Sequence, residues 1–442
     1  MKSFNSAFKF GLIFYVGIIF LGDFHAVNPD GVFRLDMTRS LLTEGSFATA
    51  HGPINYAPLQ SILMIPSYAL GYFYGSWVHA PPEKQHLFGI LSTYFLFLPV
   101  VISALCIWFF KILKEMGVDN QVSIISTVIL FWGTYLLPYG KGMFSEPLSA
   151  LLILISFYYF LVSQSGNYLS SNRKNFFCLS LLVLNNFVFL LYFGLMMVYV
   201  FWGSRIKRRD PSETRRVVLE GLFFLGASVF LFLCYNYFRY GQFFNFGYSG
   251  EGFSGNLIVG LYGLLFSVGR GLVIYSPITI LCLLFFTFRY HEMELWRQFV
   301  FSSILVSFLC FLLVYSKWDY WYGGICWGPR FLIPFIPLIH LMFPMVWKSM
   351  SASSKPVRVG VFLIIFWGIG MNLWQHLNPD LIYQKNDLMV NGLYNPEYLL
   401  FSDKLDFLFV LNQAGLFLGL LVLSASLLWV WNKPSDRLKS SA

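Results

Sequence analysis

Six Asp, Glu and Arg side chains, Asp23, Asp30, Arg34, Asp36, Arg39 and Glu44, fall within 39 residues, Asp23–Ser61, of a 442-residue chain that is only 12% charged. Carboxylates and guanidinium groups at that density can pair on a helix surface, or one carboxylate can be held ionised to take a proton from an attacking hydroxyl. Asn28-Pro29-Asp30-Gly31 reads as a helix start, with Asp30 able to cap the next free amides, and Gly45 ends the helix after Glu44. Arg34 stands four residues after Asp30 and Arg39 three after Asp36, so each carboxylate has a helical ion partner. Phe33, Met37 and Leu41 add an apolar stripe suited to lying on a membrane surface. A neighbouring cation lowers a carboxylate's pKa, so such a base orients and polarises the hydroxyl more than it acts by strong basicity. Asp30 and Asp36 are both candidates for that base.

Further along, Tyr139-Gly140-Lys141-Gly142-Met143-Phe144-Ser145-Glu146-Pro147 puts Glu146 near a lysine at the start of an apolar run. Either the helix dipole or a second acidic position beside a cavity accounts for a carboxylate there. Arg239, Arg270 within Gly269-Arg270-Gly271, and Arg330 within Gly328-Pro329-Arg330 lie at ends of apolar stretches. Arginines so placed reach toward lipid headgroups or bind phosphate oxygens bidentately. With Lys141 they form the candidate phosphate ligands. Trp318, Tyr320, Trp321, Tyr322 and Trp327 surround Asp319, as in an interfacial aromatic belt or a surface for stacking a sugar or an isoprenoid chain. No Cys or His spacing resembles a zinc site, and five of the six cysteines sit inside apolar stretches as small hydrophobes. A divalent cation among the acidic residues stays open; no other cofactor is implied.

The elements that must position these groups are apolar helices. The chain is 57% hydrophobic and 20% aromatic, and stretches long enough to cross a bilayer recur from end to end. This predicts an all-α polytopic membrane protein, one integral-membrane domain over residues 1–442. The net charge of +9 sits in short loops flanking apolar segments, which excludes nucleic-acid binding as its explanation. Expected spans are Phe8–Gly22, Leu87–Phe110, Val122–Pro138, Pro147–Val162, a hairpin over Asn175–Gly203 turning at Asn185-Asn186, Val217–Asn236, Leu272–Phe288, Phe299–Tyr315, Phe331–Trp347, Val359–Trp374 and Phe409–Trp431. The first is read as a retained span, because no small-x-small cleavage site follows it.

Pro58–Val78 is the ambiguous segment, long enough to span but carrying Pro66 and following a polar loop. Charge bias decides it. If the segment does not cross, 20 of the 30 Lys and Arg residues lie inside; if it crosses, only 10 do. The expected topology is therefore about twelve spans, both termini cytoplasmic, in a cell (inner) membrane. Residues 23–86 form a first outer loop whose amphipathic helix is followed by a re-entrant or surface-lying one.

The string Asp30-x-x-x-Arg34-x-Asp36-x-Thr38-Arg39, followed by Gly45, Tyr56-x-x-x-x-Ser61 and Pro66, resembles bacterial members of the GT-C superfamily of polytopic glycosyltransferases. Tyr139 to Pro147, Gly263-Leu264-Leu265 with Gly269 to Pro277, and Trp321-Tyr322-Gly323-Gly324 with Trp327-Gly328-Pro329-Arg330 extend it. The likeness is to the protein mannosyltransferase and aminoarabinose transferase type. It implies an inverting transferase that takes a sugar from a polyprenyl-phosphate carrier at the outer face and passes it to a glycan, lipid or protein acceptor. By analogy Asp30, then Asp36, is the base, and Glu146 matches the second-loop acid. Arg270, Arg330, Lys141 and Arg239 would hold the donor phosphate, and Tyr56, Trp321 and Trp327 would contact sugar or lipid. Relatives often carry a lysine and a glycine in the stretch that reads Asn55-Tyr56-Ala57-Pro58-Leu59-Gln60 here, which leaves the phosphate to Arg270, Arg330 or Lys141.

Two other classes share the composition. A secondary transporter calls for inverted repeats and mid-depth charges, which the sequence lacks, and a lipid-linked glycan ligase or polymerase calls for a long outer loop with essential arginines. The topology predicts that cysteines substituted at Lys111 and Lys207 resist a membrane-impermeant thiol reagent applied from outside intact cells. Efficient labelling of either position would overturn it.

Overall fold

The structure is a computed structural model that describes residues 29–377, apart from 48–51, 53–54, 141, 249, 268 and 325, together with isolated positions between 11 and 18. The expected spans Phe8–Gly22, in large part, and Phe409–Trp431 lie outside the described residues, as does Lys141. In chain order the helices are α1 Pro29–Thr43, α2 Leu59–Trp77, α3 Pro82–Leu96, α4 Leu98–Glu115, α5 Asn120–Trp132, α6 Glu146–Ser165, α7 Tyr168–Asn185 and α8 Leu190–Ile206. There follow α9 Pro211–Tyr240, α10 Leu257–Leu265, α11 Leu272–Tyr275, α12 Pro277–Arg289, α13 Leu295–Lys317, α14 Ile336–His340, α15 Phe343–Ala352 and α16 Lys355–Leu377.

The boundaries follow from local chemistry. Asp119, Asn167 and Asp210 accept backbone N–H bonds at the starts of α5, α7 and α9, and Asn256 does the same for α10. Proline near the starts of α6, α9 and α12 fixes a helical φ where no intrahelical N–H is needed. Hydroxyls inside apolar helices return to their own backbone, Thr93 to Gly89 and Ser103 to Pro99, so these groups are not stranded in hydrocarbon.

Six helices among the described residues are long and apolar enough to cross a membrane, or seven if the bent pair Arg330–His340 and Phe343–Met350 counts as one. Two of the twelve expected spans lie wholly or largely outside the described residues, and among the other ten some depart from a single straight helix for a physical reason. The stretch expected over Val122–Pro138 stops as a helix at Trp132, Leu272–Phe288 is broken at Ser276-Pro277, and Phe331–Trp347 is bent by 56° where Pro334, Pro337 and Pro344 withhold amide donors. The Asn175–Gly203 hairpin turns where expected, through Asn186–Phe189, although its first helix begins earlier, at Tyr168.

Helix α2 is not one of the six; it folds back against α3 as a tight hairpin. Small residues make that approach possible: a Cβ on Gly71 would fall 2.0 Å from the Phe88 carbonyl oxygen, and one on Gly89 would fall 2.7 Å from the Tyr68 ring. Helix α1 packs on α2, locked where the Thr38 hydroxyl donates to the Ser61 carbonyl at 3.1 Å and the Ser61 hydroxyl donates to the Arg34 carbonyl at 3.1 Å. The stripe of Phe33, Met37 and Leu41 therefore does not lie on a membrane surface: Met37 is fully buried beside Tyr235 of α9, with Phe47 and Tyr56 closing the cluster.

Gly71→Ala should lower the stability of the purified protein by about 1–3 kcal/mol, the cost of forcing two packed backbones apart. Gly226→Ala, with open space at its Cβ position, should leave it unchanged. Thermal unfolding in detergent checks both.

Candidate active site

Helix α1 begins beside the loop that precedes α14, and their junction is an ion pair. Arg330 Nη1 donates to Asp30 Oδ2 at 2.8 Å, and Arg330 Nε stands 3.4 Å from Glu146 Oε1 at the first turn of α6. The Arg330 guanidinium also lies against the rings of Phe144 and Phe331, at 5.0 and 4.9 Å. Tyr56 completes the set by donating its hydroxyl to Asp30 Oδ1 at 2.7 Å. Asp30 thus uses one oxygen for a phenol and the other for a guanidinium. Its ion partner comes from 300 residues away rather than from the same helix.

Each of these side chains is held from behind. The Tyr56 carbonyl accepts from the Tyr235 hydroxyl at 2.8 Å and from Arg239 Nη1 at 3.3 Å, which ties the segment after α1 to the end of α9. Gln60 Nε2 donates to the Met143 carbonyl at 3.1 Å, and Asn185 Nδ2 to the Ser145 carbonyl at 3.1 Å, fixing the turn that presents Glu146. Arg270 donates Nη2 to the Gly324 carbonyl at 2.5 Å and Nη1 to the Cys326 carbonyl, while Tyr139 donates its hydroxyl to the Trp327 carbonyl at 2.9 Å. The turn they brace leads into Arg330. It needs a glycine at 323, where φ is +74° and a Cβ would crowd the Arg330 side chain.

Asp30, Arg34, Tyr56, Glu146 and Arg330 face a cavity of about 1240 Å³. Phe187, Phe232, Phe244 and Phe246 add aromatic lining to it, and Phe244 is 80% exposed. Burial by itself would raise the Asp30 pKa; the Arg330 charge, the Tyr56 hydroxyl and the Arg34 charge outweigh it and hold the carboxyl below the usual aspartate value. Burial and the adjacent Asp30 carboxylate push the Tyr56 hydroxyl well above its usual range, so it stays a donor.

No protein-family model matches the chain, and no curated protein matches its sequence. Among solved structures it is similar to ArnT from Cupriavidus metallidurans bound to undecaprenyl phosphate, with a TM-score of 0.53 over 82% of this chain. The chain has an ArnT-like fold. Identity to that neighbour is 11%, and the chain spans 62% of its length.

Within the ArnT-like fold the expected site residues separate. Asp30, Glu146, Arg330 and Tyr56 come together on the cavity wall. Asp36 does not join them: its Oδ1 lies 3.9 Å from His86 Nε2, and His86 in turn bonds the Tyr68 hydroxyl. Arg270, expected on a phosphate, is buried with its nitrogens on backbone carbonyls, and Arg239 lies over the Tyr235 ring at 4.0 Å as a brace for Tyr56; neither lines the cavity. Trp321 and Trp327, expected to contact sugar or lipid, are core residues. Trp321 covers Gly263, and Trp327 donates to Asn372 Oδ1 at 3.2 Å. Among the described residues no group of three or more His, Cys, Asp or Glu stands close enough to hold a metal ion.

Sequence reasoning left Glu251 and the aromatic loop over 241–253 without a role, yet both line the cavity. A loop without periodicity carries no signal of where it folds. Glu251 is raised above the usual glutamate value, first by burial and then by Asp30 and Asp319, against the pull of Arg330.

A depressed carboxyl contributes stability that is present above its unfolded pKa and lost as pH falls through its folded one. For Asp30 that loss belongs below the ordinary aspartate value of 3.8. Tyr56→Phe should cost about 1–3 kcal/mol at neutral pH and shrink the part of stability lost on acidification below that point. Unfolding followed as a function of pH in both proteins checks this.

Proposed function

We propose that the protein is an inverting glycosyltransferase that moves a sugar from a polyprenyl-phosphate donor to a hydroxyl of a glycan, lipid or protein acceptor at the outer face of the cell membrane. The observation that carries this reading is Asp30, held between the Tyr56 hydroxyl and Arg330 in a cavity lined by both ionic and aromatic side chains. A lipid phosphate sugar has the same two characters, a polar head and an isoprenoid tail. The ArnT-like fold supports it, since that neighbour was crystallised with undecaprenyl phosphate. The outer-face placement rests on the charge count, which puts the Asp23–His86 loop opposite the basic segments and both termini inside.

In the reaction the acceptor hydroxyl donates its hydrogen bond to Asp30 and attacks the anomeric carbon from the side opposite the phosphate. The new C–O bond forms as the bond to phosphate breaks, the phosphate leaves with the electron pair, and the hydroxyl proton passes to Asp30. A carboxylate held by Arg330 is a weak base but is ionised at every physiological pH, so its main contribution is to align and polarise the nucleophile. Glu146, on the other side of the same guanidinium, keeps Arg330 from following Asp30 when the base takes up the proton.

Asp30→Asn keeps shape and removes charge. Transfer from a polyprenyl-phosphate sugar by the purified protein should fall about 10²- to 10⁴-fold in kcat with little change in KM. Near wild-type turnover would remove Asp30 from this role, and mass spectrometry of surface glycans with and without the gene would identify sugar and acceptor together.

A further inference from the structure

The cavity contains two arginines, and they differ in what their nitrogens already do. Arg330 is ion-paired to carboxylates, with Nη1 donating to Asp30 and Nε 3.4 Å from Glu146 without a hydrogen bond. Arg34 is not. Its side chain is only 4% exposed and lines the same cavity, yet Nε and Nη1 have no hydrogen-bond partner. The guanidinium lies over the Tyr56 ring at 4.5 Å, which occupies a face of the ion and leaves its N–H donors, all in the guanidinium plane, unspent. A buried cation with unmet donors is costly, and the cost is recovered when an anion with several oxygens arrives.

We infer that Arg34 is the residue that anchors the donor phosphate, binding its oxygens edge-on while Arg330 stays with the two carboxylates. The inference rests on the proposed transferase reading and assigns a task that neither Arg270 nor Arg239 can perform from where they sit. It also divides labour along α1. Asp30 and Arg34 stand one helical turn apart, so the base and the phosphate anchor are fixed relative to each other by a single rigid element. A phosphate at Arg34 is then held at a set distance from the hydroxyl that Asp30 orients, as in-line displacement requires.

The test compares binding of a short-chain polyprenyl phosphate and of the matching polyprenol to the purified full-length protein in detergent. Wild type should prefer the phosphate. Arg34→Gln should lose about ten- to hundred-fold of that preference while its affinity for the polyprenol, a report on the intact aromatic lining, is unchanged. A glutamine variant that binds the polyprenol normally and keeps the full preference overturns the assignment and leaves the transferase reading standing. If wild type itself shows no preference for the phosphate, the donor class and this inference fall together. Should the glutamine variant lose polyprenol binding as well, Arg34→Lys carries the test. It keeps the charge without the planar fork, and its preference should drop several-fold; an undiminished preference overturns the assignment.

Discussion

The ion pair between Asp30 and Arg330 joins the first described helix to a turn 300 residues later, and the arrangement of the cavity depends on it. Both side chains are largely buried, so removing either partner destabilises the fold, although Glu146 still faces Arg330 and Tyr56 and Arg34 still attend Asp30. A pair of this kind is a poor source of stability compared with well-packed apolar groups, but it specifies register. With Glu146 on its other side, Arg330 admits one placement of α1 relative to α6, and that placement sets the ionic lining of the cavity.

The rest of the polar inventory serves this junction. Arg270, Tyr139 and Gln60 spend their donors on backbone carbonyls of turns that a purely helical bundle could not hold. Irregular backbone inside a membrane protein persists where protein satisfies it, and here the broken stretches around 271–277 and 328–342 are the ones packed against other helices. Regular helices such as α9, by contrast, turn apolar side chains outward: Phe223 and Phe238 are 72% and 77% exposed, as befits a lipid-facing surface.

Local pattern revealed a good deal of this. The start of α1 at Pro29, its end before Gly45, the turn at Asn186 and the helical nature of each described apolar stretch were legible because capping, proline geometry and hydropathy act over a few residues. Asp30, Glu146, Tyr56 and Arg330 were legible as residue types in polar loops, but not their meeting. What was misjudged shares one feature. The stripe of Phe33, Met37 and Leu41 asks for apolar cover, and its period does not say whether lipid or Tyr235 provides it. A glycine-flanked arginine such as Arg270 looks the same whether it faces a ligand or a carbonyl.

By itself, then, the sequence determined an all-α membrane protein with an acidic and basic loop ahead of its main helices, because apolar length and charge bias are properties of the chain that need no partner. Tertiary structure alone decided which carboxylate meets which guanidinium. It separated Asp30 from Asp36 and left Arg34 with donors to spare, because an ion pair is formed by distance in space, and residues far apart in the chain reach that distance through packing that no local pattern encodes.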